Sequence, residues 1–66
     1  MLKKGDHVQW IFRNGETYGI IIKIHTEDFI FMNRQRRASE TEPQYEVMSE
    51  KTGKTAVHKA SALKKK

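Results

Sequence analysis

The sequence contains no cysteine and a single proline among its 66 residues. Without cysteine there is no disulfide framework and no thiolate zinc site, the two kinds of cross-link that stabilise many small secreted domains. The N-terminal lysines are not followed by the apolar run of a signal peptide, and the longest apolar stretch, residues 20–22, is far too short to span a membrane. These absences predict a cytoplasmic protein that is stabilised by its core and has no membrane partner.

Apolar residues are also scarce, since 36% of the chain is hydrophobic and 32% is charged. A chain of this length buries only about 60% of the surface that its unfolded form exposes, so a deep catalytic cavity would remove core that it needs. No serine lies in a nucleophile elbow and there is no glycine-rich phosphate loop. His7, His25 and His58 lie on separate predicted strands, without the spacing of metal ligands. We therefore expect a single domain that is not an enzyme and has no metal or cofactor.

Short runs that alternate apolar and polar residues predict β-strands. They fall at residues 7–12, 17–25, 29–32, 44–49 and 54–58. Asn14-Gly15 and Gly53 supply turn signals between them, and residues 33–43 form a polar loop that ends at Pro43. Residues 60–63 fit one helical turn or a short closing strand. Strands with such tight connections predict an all-β fold, a small five-stranded SH3-like barrel over residues 1–63, followed by a basic tail at 64–66. An OB-fold, with a helical turn in residues 33–42, is the alternative.

The second predicted strand carries two structural expectations. Gly19 inside a strand indicates a bulge or a close approach of backbone. Alternation places Ile20, Ile22 and Ile24 on one face, opposite Ile21. With Ile30 and Met48, Ile21 is then expected to point outward, which would suit a homo-oligomer.

The net charge of +5 is concentrated at the C-terminal end, because residues 59–66 carry +4. A terminal lysine run is typical of a solvated end. The internal cluster of Arg34, Arg36 and Arg37 is more informative, because the planar guanidinium suits phosphate and carboxylate. Glu40 and Glu42 follow this cluster and could pair with it.

The six aromatic residues are divided between core and surface. Trp10, Phe12, Phe29 and Phe31 are expected to fill the core. Tyr18 and Tyr45 are expected to be partly exposed, because their hydroxyl groups need water or a partner. An aromatic cage for a methylated cation would draw on Trp10, Tyr18, Phe31 and Tyr45, and the sequence does not distinguish such a cage from ordinary packing.

Two groups of motifs resemble a known family. Residues 4–10 read Lys-Gly-Asp-His-Val-Gln-Trp, and residues 38–47, 49–53, 56–59 and 62–63 supply the more specific matches. Together they resemble the hypervirulence-associated protein Tudor-domain family. The resemblance covers essentially the whole chain and implies a small Tudor-like β-barrel of bacteria and fungi, without a defined molecular activity.

These observations predict a non-enzymatic binding module. Its partner is either a protein or peptide, or a nucleic acid bound weakly and without sequence preference. The alternative is a structural protein that associates with itself, so the expected state is a monomer or a weak homo-oligomer. The candidate binding residues are Tyr18, Arg34, Arg36, Arg37, Tyr45, His58 and Lys59.

Overall fold

The computed structural model describes residues 2–13 and 15–66, and the regular secondary structure within them is β-strand apart from one 3₁₀ turn. The prediction of an all-β fold is confirmed. The strands are β1 (His7–Phe12), β2 (Gly15–His25), β3 (Phe29–Phe31), β4 (Arg34–Arg36), β5 (Gln44–Ser49), β6 (Thr55–Lys59) and β7 (Lys64–Lys65), with a 3₁₀ turn at Ala60–Ala62. No helix in these ranges is long and apolar enough to cross a membrane.

Five of the strands form one antiparallel sheet in the order β6-β5-β2-β1-β7, and β3 pairs only with β4. The predicted closure into a barrel is wrong, because β6 and β7 remain the two edges of the sheet in the described part of the chain. The edge strand β7 has two residues, which pair with Val8 and Gln9 of β1, so it is too short to bridge to β6. The described chain forms an open five-stranded sheet with a separate hairpin inserted between β2 and β5.

The core lies on one face of this sheet. Its buried apolar residues are Val8, Trp10, Ile21, Tyr45, Val47 and Leu63, and Leu2 and Ala56 pack against them. Ile21 is fully buried, which corrects its predicted outward position, whereas Ile30 and Met48 are exposed as predicted. The alternation of β2 up to Ile21 is regular, but the buried face is that of Gly19 and Ile21 rather than that of Ile20. The register with β5 shifts only beyond it, between Ile21 and Lys23, where Ile22 is the extra residue.

The aromatic predictions are partly confirmed. Trp10 is buried, but Phe12 is 58% exposed because it lies at the end of β1, beyond the covered part of the sheet. Phe29 and Phe31 are half-buried. Tyr45 is only 5% exposed, so its predicted partial exposure is wrong.

Gly19 confirms the predicted close approach of backbone. A Cβ atom at this position would lie 2.2 Å from the Met48 carbonyl oxygen and 2.6 Å from Trp10 Cη2. Gly53 has a φ of 74° and therefore confirms the predicted turn glycine. The other predicted turn is at Asn14-Gly15, and Asn14 lies outside the described residues.

The C-terminal residues extend the sheet, where the sequence predicts a basic tail. The Lys66 N–H donates to the His7 carbonyl at 2.9 Å, and Lys65 Nζ lies 3.7 Å from Asp6 Oδ2. The 3₁₀ turn before them matches the predicted helical turn and places Leu63 in the core.

Candidate functional site

The segment between β2 and β5 folds into a hairpin that the sequence does not reveal. Residues 29–37, called here the arginine hairpin, consist of β3, a two-residue turn, β4 and Arg37. Phe31 pairs with Arg34, so the turn consists of Met32 and Asn33 alone, whose φ angles are 51° and 63°. Two consecutive positive φ angles are the requirement of a type I′ turn, which matches the twist of the flanking strands. The predicted loop therefore contains a strand, β4.

The base of the arginine hairpin is attached to the sheet by polar and stacking contacts. The His25 ring, at the end of β2, stacks on Phe29 with 3.7 Å between centroids and 7° between planes. His25 Nε2 also lies 3.0 Å from Glu46 Oε1, which holds the ring in place. On the other strand, the Ala38 N–H donates to Asp28 Oδ1. These contacts fix the base and leave the tip in solvent.

The arginines of the hairpin are exposed and form no ion pair with any described carboxylate. The backbone N–H of Glu42 donates to Ser39 Oγ at 3.0 Å. Neither Glu40 nor Glu42 forms the expected ion pair with these arginines. Three other carboxylates are engaged elsewhere, with His7, His25 and Lys65 as partners. The positive charge on β4, from Arg34 and Arg36, is therefore not neutralised by any ion pair among the described residues.

An open cleft of about 370 Å³ lies beside the base of the hairpin and is called here the base cleft. It is lined by Asp28, Arg37, Ala38, Ser39, Glu42 and Lys59. It brings together Arg37 and Lys59, two of the predicted binding residues that lie 22 positions apart in sequence. Because it also contains two carboxylates, its lining is close to neutral, and the strongest positive surface is on β4.

Neither tyrosine is an unobstructed platform for stacking. Tyr45 and Trp10 lie in the core, so the four aromatics of the hypothetical cage are not gathered at one surface. Tyr18 is 38% exposed, as predicted, but Lys66 Nζ lies 4.0 Å from the centre of its ring. Base stacking needs a free aromatic face, and Lys66 occupies one face of Tyr18 while Tyr45 is buried.

His58 points toward the core rather than toward a ligand. It lies opposite Tyr45, and its ring centroid is 5.5 Å from that of Trp10. Its Nε2 is buried without a hydrogen-bond partner, and burial lowers the pKa of the ring below its usual 6.5. Within the described ranges, no three histidine or acidic side chains are grouped as a metal would require.

The comparison with family models agrees with this architecture. The model described as "Hypervirulence associated proteins TUDOR domain" matches residues 5–63. Tudor domains are in general small binding modules, and this match suggests that class for the chain. The chain belongs to the hypervirulence-associated Tudor family, as its motifs indicated. No curated protein and no solved structure matches it.

Proposed function

We propose that this Tudor-family domain binds nucleic acid, without sequence preference, through Arg34, Arg36, Arg37 and Lys59. The observation that carries the proposal is the exposed and unpaired state of the three arginines on one short hairpin. Guanidinium groups that are not neutralised by their own chain are well suited to phosphate oxygens. Binding, without catalysis, is the whole of the proposed activity.

The overall charge supports the same partner. The chain has a net charge of +5 and a pI near 9.8. Of its 13 lysines and arginines, only Lys65 lies within 4 Å of a described carboxylate oxygen. Because no arginine of the hairpin is paired with a described carboxylate, its guanidinium groups remain available to an anionic partner.

The aromatic residues favour a duplex over a single strand or a peptide. Single strands are held largely by stacking on aromatic rings, and Tyr18 is covered by Lys66 while Tyr45 is buried. Tyrosine and tryptophan are frequent anchors of protein interfaces, but Trp10 is in the core and the exposed Phe12 lies at the end of β1, outside the hairpin. An arginine hairpin without tyrosine or tryptophan fits the phosphate backbone of a duplex best.

The test is a titration of a fluorescent DNA duplex followed by anisotropy. With four phosphate contacts, affinity should fall about a hundredfold between about 50 and 200 mM NaCl. Replacing Arg34, Arg36 and Arg37 by glutamine should remove most of the binding at the lower salt concentration. The same replacement should reduce the salt slope by about 0.9 for each phosphate that is no longer neutralised.

The matched control replaces Lys4, Lys51 and Lys54 by glutamine, which removes the same charge from exposed positions away from the hairpin. An equal loss of affinity in both variants would show that net charge, rather than the hairpin, holds the duplex. If the wild-type protein binds a glutamate-rich peptide through its arginines and no duplex at low salt, the partner is a protein and the proposal is wrong.

A further inference from the structure

The tip of the arginine hairpin combines backbone strain with an exposed apolar side chain. Met32 has a φ of 51°, a region that side chains other than glycine, asparagine and aspartate seldom adopt. Its side chain is 71% exposed, and Ile30, two residues before it, is 75% exposed. Neither the turn nor the core requires methionine here, because a type I′ turn favours asparagine or glycine. Strain at an exposed position indicates a role outside the fold.

The charges around Met32 restrict what this role can be. Arg34 lies two residues after it and Arg36 two further on, so both project from the same face of β4. No acidic residue lies between positions 29 and 37. An apolar tip followed at once by unpaired arginines resembles, in chemistry, the wedge-bearing ribbons that proteins insert into the minor groove of DNA.

Resting on the proposed function, we propose that the arginine hairpin enters the minor groove of double-stranded DNA. Met32 inserts between two base pairs and kinks the duplex, while Arg34 and Arg36 contact the phosphates beside the wedge. Apolar side chains, methionine among them, serve as such wedges, and the cost of unstacking is offset by the extra backbone contacts that a bent duplex permits.

The dimensions of the hairpin fit this groove. Each strand has three residues, which span about 10 Å at about 3.4 Å per residue. The minor groove of B-DNA is about 7.5 Å deep, so the tip reaches its floor when the base of the hairpin meets the phosphates. The width of the groove, about 6 Å, admits the ribbon only where the duplex opens, which is the distortion that a wedge produces.

The experiment measures DNA bending and binding separately on the same duplex. A duplex of roughly 20 base pairs carries a donor and an acceptor dye at its two ends, a length at which a kink changes the end-to-end distance. Wild-type protein should raise energy transfer at saturation. Met32→Gly, which suits the type I′ turn and should keep or raise the melting temperature, should abolish this rise while weakening binding by about fivefold or less. Its salt slope should equal that of the wild type, because all the cations that bind phosphate are retained.

Ile11→Ser is the control variant, because it removes a side chain that is 76% exposed on β1 and away from the hairpin. It should leave both binding and bending unchanged. Binding by the wild type without bending, or bending that survives in Met32→Gly, would overturn the wedge and leave the proposed function standing. Absence of binding at low salt would overturn both. Tighter binding to an RNA duplex of the same sequence would also overturn the wedge, because the minor groove of A-form RNA is wide and shallow.

Discussion

At the scale of single residues, Gly19 is the tightest point of the fold. It lies on β2 between two neighbouring strands, opposite Val8 on one side and Ser49 on the other. The Met48 carbonyl and the Trp10 ring both occupy the space that a side chain would need. Glycine is therefore required here by space rather than by a special φ angle.

Gly19→Ala should lower the free energy of unfolding by about 2 to 3 kcal/mol, because a methyl group cannot be placed without moving backbone on β5. Urea denaturation followed by tryptophan fluorescence measures the change directly. Gly15→Ala is the matched control, since nothing lies within 4 Å of a Cβ atom at that position. Equal unfolding midpoints for the two variants would contradict the close approach.

The half-buried ring of His58 makes the stability of the fold depend on pH. Burial lowers its pKa in the folded state, so between the folded and unfolded pKa values the unfolded chain binds more protons. Its contribution to stability is therefore complete above the unfolded pKa of 6.5 and is lost as the pH falls below that value. When the pH is lowered from about 7.5 to about 5.5, the wild type should lose more unfolding free energy than His58→Phe, which has no group that titrates at this position. Parallel pH profiles would contradict this role.

At the scale of elements, the alternating strands could be predicted and the charged strand could not. Each of β1, β2, β5 and β6 has a face that contributes to the core, which produces the alternation in the sequence. The strand β4 reads Arg-Gln-Arg and buries nothing, so no pattern of hydrophobicity marks it. Its pairing with β3 depends on a two-residue turn without glycine, which weakens the usual hairpin signal.

The direction of side chains on β2 and β5 shows a second limit of prediction from the sequence. Gly19 predicted an irregularity in β2, but the shift of register occurs beyond Ile21, and only the pairing with β5 reveals this position. Up to Ile21 the strand alternates regularly, with Gly19 and Ile21 buried, and the extra residue changes the facing only of the residues that follow it. On β5 the alternation is regular, and it places Tyr45 in the core beside Val47.

The candidate site was accessible to sequence analysis only in its charged part. Arg34, Arg36 and Arg37 could be found because three arginines within four residues lie far from the terminal lysines. The meeting of Arg37 with Lys59 and the exposure of Met32 at the tip depend on how the inserted segment folds back on β6. Which partner each acidic residue contacts also depends on the tertiary structure, since His25 and Glu46 come from different strands.

At the scale of the whole molecule, the chain has more surface than its mass requires. Its accessible surface is 5212 Å², whereas a compact monomer of 7.8 kDa has about 4,400 Å². The open sheet and the inserted hairpin account for the excess. A core of six buried apolar residues supports at most about 3 to 5 kcal/mol of stability in a chain of this length.

Such a molecule should respond to salt in opposite directions when it folds and when it binds. Because most of its cations are unpaired, repulsion among them destabilises the compact state, and NaCl screens that repulsion. Raising NaCl from about 50 to 500 mM should therefore increase the free energy of unfolding by about 0.5 kcal/mol, while it weakens the binding of a DNA duplex. The Lys4, Lys51 and Lys54 glutamine variant should be more stable at low salt and less sensitive to NaCl. If stability instead falls as salt is added, attraction between opposite charges outweighs the repulsion, and the arginines are not the free cations that binding requires.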